Sequence, residues 1–143
     1  MKRALIFLII IFLSNLTGMY FDMYSFWWFD MIHHFLGGFF VAMFIARYLA
    51  DIISLRADPS TSLRVNSSKS RTIKNYLIIV GAVSFIGVVW EFTEYLASQI
   101  LIEPLYDNFG IKAYFIGDLD DTFNDLLMDI LGAFAWILIF RKK

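Results

Sequence analysis

The stretch DMIHHFLGGFFVAMFIARYLA, residues 30–50, decides the fold. Between Asp30 and Arg47 its only ionisable side chains are two adjacent histidines, His33 and His34. Apolar and polar residues do not alternate along it, as they would in a membrane β-strand. From Met31 to Ala50 it has the roughly 20 residues that carry an α-helix across a hydrocarbon core. It therefore reads as a transmembrane helix whose outer end is marked by an aspartate and two imidazoles.

Three more apolar stretches of similar length surround it, at residues 4–20, 76–101 and 123–140. Backbone polar groups in lipid must be satisfied within the segment, which helices achieve. The expected architecture is all-α: a single membrane domain over residues 1–143, a polytopic bundle of four transmembrane helices. The composition agrees. Of 143 residues, 59% are hydrophobic and 19% aromatic, above the apolar share of a soluble domain. Lys2 and Arg3 before a short apolar run also resemble a signal peptide, but no small-residue cleavage site follows, so the first span is expected to be retained.

A net charge of −1 lacks the basic face that phosphate binding needs, which argues against a nucleic-acid partner. The absence of cysteine removes disulfides, thiolate metal sites and cysteine nucleophiles together. Any metal must then be held by histidine and carboxylate.

Basic residues set the expected orientation. Eleven of the 12 lie at the N-terminus, at the C-terminus, or at and between the facing ends of the second and third spans; Lys112 alone lies on the other side. By the positive-inside rule both termini and the Ser-rich loop 51–75 face the cytoplasm. The expected location is a cell membrane, with multiple passes. On the outer side, YFDMYSFWWFD at residues 20–30 reads as an interfacial aromatic belt. Residues 102–122, with Pro104, Gly110 and Gly117, are expected to include a short interfacial or re-entrant piece. The sequons at Asn15 and Asn66 fall in a span and in the cytoplasmic loop and read as chance matches.

The ionisable residues of the spans fall at one depth. Asp30, His33 and His34 open the second span. Glu91 and Glu94 lie roughly 10–15 Å from the outer end of the third. Asp121, Asp125 and Asp129 repeat every four residues at the start of the fourth, and groups three or four apart share a helix face. His33 and His34 point about 100° apart, so one is expected to join the site, and His34 continues from Asp30 towards Gly38. Charges inside a bilayer cost about 2.5–3.5 kcal/mol each even on the lenient scale, and they normally face the bundle interior. Converging carboxylates without Lys or Arg have two resolutions: some carry protons, or a cation sits among them.

The expected site comprises Glu91, Glu94 and Asp125 in catalysis. His34, Glu91, Glu94, Asp125 and Asp129 are the metal ligands, with Asp30, His33 and Asp121 behind them. The cofactor would be a divalent metal ion. Polar glue between helices explains single groups, and helix caps explain Asp30 and Asp121; solvated loop positions explain Asp118 and Asp120. Gly38, Ala42 and Ala46, with Gly132 and Ala133, form small-residue stripes for close helix packing.

Three motifs, in order, carry a resemblance: Asp30, His34, Phe35, Gly38 and Phe39; Trp90, Glu91 and Glu94; and Asp121, Thr122, Asp125, Gly132 and Ala133. Together the pattern resembles the YjdF-like family of small polytopic membrane proteins and, more distantly, VanZ-like proteins. His33, Asp129 and a missing arginine between the last two motifs depart from it. The resemblance implies the helix count and the site positions and supplies no reaction. Three functions fit the sequence: a metal-dependent enzyme acting on a lipid or lipid-linked group in the outer leaflet, a proton- or cation-coupled transporter, and a non-catalytic assembly or resistance protein. The partners expected are the bilayer and a second copy of the chain.

Overall fold

A computed structural model describes residues 2–56, 67–113, 115 and 118–140, with side chains placed at 2–50, 73–113, 115 and 118–140. Among the described residues there are five α-helices: α1 (Lys2–Tyr20), α2 (Trp27–Arg56), α3 (Ser67–Ile100), α4 (Ile102–Phe109) and α5 (Leu119–Phe140), with a 3-10 turn at Met23–Ser25. Four are long and apolar enough to cross a membrane, at Lys2–Tyr20, Trp27–Ala50, Ile73–Ile100 and Leu119–Phe140. Both α2 and α3 run beyond their apolar stretches into the segment expected as loop 51–75. Helical hydrogen bonding does not stop at the end of an apolar run, because polar residues such as Lys74 continue it at little cost in water. Residues 57–66 of that expected loop lie outside the described residues.

The bundle core is small. Ala42, Ile79, Val83, Ala133 and Ile137 are buried together where α2, α3 and α5 meet. Large apolar side chains such as Phe85, Leu77 and Leu138 point outward. That inversion is expected where the surroundings are acyl chains, since lipid is as apolar as leucine and packing rather than burial from water holds helices together.

The tightest contact is α2 against α5. A Cβ built at Gly38 would strike the backbone carbonyl of Asp129, and one at Gly132 would strike the backbone carbonyl of Phe35. Two glycines, one on each helix, thus let the backbones touch. This reciprocal pair fixes the register that sets Asp125 and Asp129 opposite His34. α3 packs on both α5 and α2.

Among the described residues α1 packs on α2 and on the 3-10 turn. The Phe29 ring occupies the space a side chain at Gly18 would need, and Phe7 stacks on Phe40 with ring centroids 4.5 Å apart. α4 is the short helix of the second connection. It ends at Gly110, which adopts a left-handed φ of 65° and, with Ile111, donates to the carbonyls of Tyr106 and Leu105.

Candidate intramembrane carboxylate–histidine centre

His34 is the hub. One turn of α2 separates it from Asp30, and it is 5% exposed. Its Nε2 lies 3.7 Å from Asp30 Oδ1, 3.7 Å from Glu91 Oε1 and 3.9 Å from Asp125 Oδ2. Its Nδ1 lies 3.5 Å from Asp129 Oδ2, a long hydrogen bond in which the carboxylate accepts. Helices α2, α3 and α5 each contribute, so the centre exists only when all three pack. Asp125 and Asp129 reach it because they stand one turn apart on the α5 face that the glycine contact presses against α2. Glu91 reaches it from α3, where Gly87, one turn away, leaves room for the Asp129 carboxylate.

The spacing is informative. Gaps of 3.7–3.9 Å exceed the 2.7–3.2 Å of a hydrogen bond. A tetrahedral cation with bonds of about 2.0–2.2 Å would set its ligand atoms about 3.3–3.6 Å apart, close to what is seen. Asp30 Oδ1, Glu91 Oε1 and Asp125 Oδ1 are buried and accept no hydrogen bond within the protein. Two of these, Asp30 Oδ1 and Glu91 Oε1, are the atoms that face Nε2. Buried acceptors are normally satisfied, so each of these oxygens calls for a proton, a water or a cation beside it. Two overlapping sets have ligand atoms within 4.8 Å of one another: Asp30, His34 and Asp125, and His34, Glu91 and Glu94.

The remaining expected residues separate cleanly. Glu94 stands one turn along α3 from Glu91 and is half-buried at the rim. Asp121, also half-buried, lies close enough for its charge to act on Asp30 and Asp125. His33 does not join the carboxylates. It donates from Nδ1 to the Phe29 carbonyl at 2.8 Å, and its Nε2 meets the Ser14 hydroxyl at 3.0 Å, which ties α2 to α1. Asp129 and Asp30 take places opposite to those expected: Asp129 is on the Nδ1 side of the imidazole, behind it, and Asp30 is on the Nε2 side among the converging oxygens. Asp118, expected as a loop acid, caps α5 by accepting the Asp121 backbone N–H at 3.1 Å.

Two residues belong to the centre that the sequence reading did not place there. Thr122 brings its hydroxyl near the Glu91 carboxylate; it stands in the third motif, and that was the available signal. Tyr24 sits within the stretch read as an aromatic belt. Its ring packs edge-on against Phe29, and its hydroxyl lies beside Asn15. Burial pushes its phenol well above the ordinary range, and the charges of Asp30 and Glu94 push it further. Nothing in the local sequence separates Tyr24 from its outward-facing neighbours Trp27 and Phe21.

Residues 2–142 match the family model described as predicted membrane protein DUF2238. The chain belongs to this family. A protein from Thermotoga maritima, described as uncharacterized, is 29% identical over 136 residues, covering 93% of this chain and 59% of its own length. The chain thus spans under two thirds of that relative. No solved structure matches the chain. Family membership agrees with the resemblance to YjdF-like proteins; the more distant likeness to VanZ-like proteins finds no support.

Proposed function

We propose that the centre binds one divalent cation and that the protein is a membrane enzyme acting on a lipid or lipid-linked group. The observation that carries this reading is the set of buried, unpartnered carboxylate oxygens around His34 Nε2 at near-coordination spacing. Nitrogen and oxygen donors of this kind suit Zn, Mn, Fe(II) or Mg. His34, Asp30, Glu91 and Asp125 would be the ligands. Asp129 would accept from Nδ1–H, which fixes the tautomer and aims Nε2 at the ion, the common arrangement behind a metal-bound histidine. Thr122 would hold Glu91 in place. A cation there supplies Lewis-acid activation of water or of a substrate oxygen. Glu94, at the rim beside His34 and Glu91, would take a proton from water. The basic-residue bias supports cytoplasmic termini, and with them a centre in the outer half of the membrane.

Thermal unfolding in detergent tests the cation reading. A ligand of the folded state at 100 times its Kd adds about 2.7 kcal/mol. One of the four cations should raise Tm in the wild type and leave Asp125→Asn unmoved. Equal shifts in both proteins would refute it.

The aspartate ladder on α5 favours a second reading. Asp121, Asp125 and Asp129 stand one turn apart and would form a proton or cation relay in a coupled transporter. That reading requires flux into liposomes that Asp125→Asn abolishes.

A further inference from the structure

One cavity adjoins the centre. It has a volume of about 160 Å³ and lies along α2, with α1 on one side and α3 on the other. Its walls are apolar: Ile11 and Phe12 from α1, Val41 from α2, and Val83, Ile86 and Trp90 from α3. Its polar end is formed by His34 and Asp129, with Asn15 and His33 beside them. Among the described residues the backbones of α1 and α3 do not pack against each other, and the cavity lies between them. Both flanking helices belong to membrane spans, which places the opening against acyl chains rather than water.

We infer that this cleft receives one acyl chain of a bilayer lipid, entering sideways between α1 and α3 and packing on the Nδ1 side of His34, beside Asp129. The inference rests on the proposed lipid-directed function and names how the substrate is held. Four observations support it. The cleft runs from His34 to Val41 on α2, seven residues or about 10 Å, a length suited to a chain segment rather than to a rigid polycyclic body. An apolar cavity of about 150 Å³ accommodates a ligand of benzene's size, so this cleft holds the half-dozen carbons of one chain and not of two. Gly37 keeps the cleft open beside the polar end: a Cβ there would meet nothing closer than Asp129 Oδ1 at 3.8 Å, so a larger residue would project into the space instead of breaking the helix contact. His34 and Asp129 line the cavity and belong to the centre, so a chain in the cleft lies against the back of the imidazole whose Nε2 faces the converging carboxylates.

The test is photo-crosslinking in phosphatidylcholine vesicles that carry a diazirine in one acyl chain, with linked residues mapped by mass spectrometry. The outward-facing residues Phe85 and Leu138 will be labelled by bulk lipid in any case. The expected result is additional linkage to Val41 and Trp90, which line the cleft, falling several-fold in Ile86→Trp and in Gly37→Leu while linkage to Phe85 stays constant. Linkage confined to outward positions, or unchanged in both variants, overturns the inference. Linkage from a diazirine fatty acid but not from the phospholipid also overturns it, because the occupant would then be a free acid. Metal content measured on the same samples separates the two claims. Metal without cleft linkage removes the chain site alone; cleft linkage without metal removes the cation centre and leaves chain binding standing.

Discussion

Two adjacent histidines with different fates show what a single residue's position on a helix decides. His34 is surrounded by carboxylates from three helices, whereas His33 is spent on a hydrogen bond across to Ser14. The 100° rotation between neighbours accounts for the separation, and it was legible from spacing alone. Which carboxylate stood on which ring nitrogen was not, because that depends on the register of α5 against α2. His33→Ala should leave cation binding intact and cost only about 0.6 kcal/mol, the usual scale of a polar contact between membrane helices; thermal unfolding with and without metal checks both. Tyr24 gives the pH prediction. Its folded-state pKa lies above the ordinary 10.0, chiefly because it is buried. A raised pKa means the native state holds its proton longer than the unfolded chain does. Its contribution to stability is therefore complete below pH 10 and declines as the pH climbs above that. In the folded protein, Tyr24→Phe should leave the phenolate absorbance titration around pH 10 unchanged, since the residue removed does not ionise there. A loss of one titrating phenol in the variant would show that Tyr24 is solvated.

At the scale of elements, the α2–α5 contact governs the centre. The small residues were visible as stripes, and their use in close packing was a fair expectation. That Gly38 and Gly132 each meet a backbone carbonyl of the opposite helix is a property of the crossing, which no single-helix pattern encodes. Backbone cannot swing aside as a side chain can. Gly38→Ala and Gly132→Ala should each cost about 1–3 kcal/mol, the range of overpacked cores, and should also weaken cation binding by shifting Asp129. Unfolding and metal titration on one preparation read both effects. An alanine at Gly81, where a Cβ would meet nothing, is the control: it should cost no stability and leave cation binding unchanged. The four spans were legible because about 20 apolar residues have few other uses. The ends of α2 and α3 were not, since helices outrun their apolar stretches wherever polar residues can continue them.

The whole molecule reads as a centre made by three helices and a fourth, α1, hung beside it. Depth made this arrangement legible: six or more ionisable groups fell at one level of three spans, and the fold brings most of them together. Orientation rests on the basic-residue bias, and the cysteine-free chain makes it easy to test. With single cysteines, a membrane-impermeant thiol reagent should label Asp107→Cys in intact cells and Lys74→Cys only after the membrane is opened. The reverse pattern would turn the centre to face the cytoplasm. The proposed function depends most on a cation among these carboxylates. The most direct measurement is metal content by mass spectrometry on detergent-purified protein, comparing wild type with the Glu91→Gln/Asp125→Asn double variant. One divalent ion per wild-type chain and none in the variant is the expected result. A folded wild-type protein that binds no metal, even after incubation with Zn, Mn, Fe(II) or Mg, would contradict it.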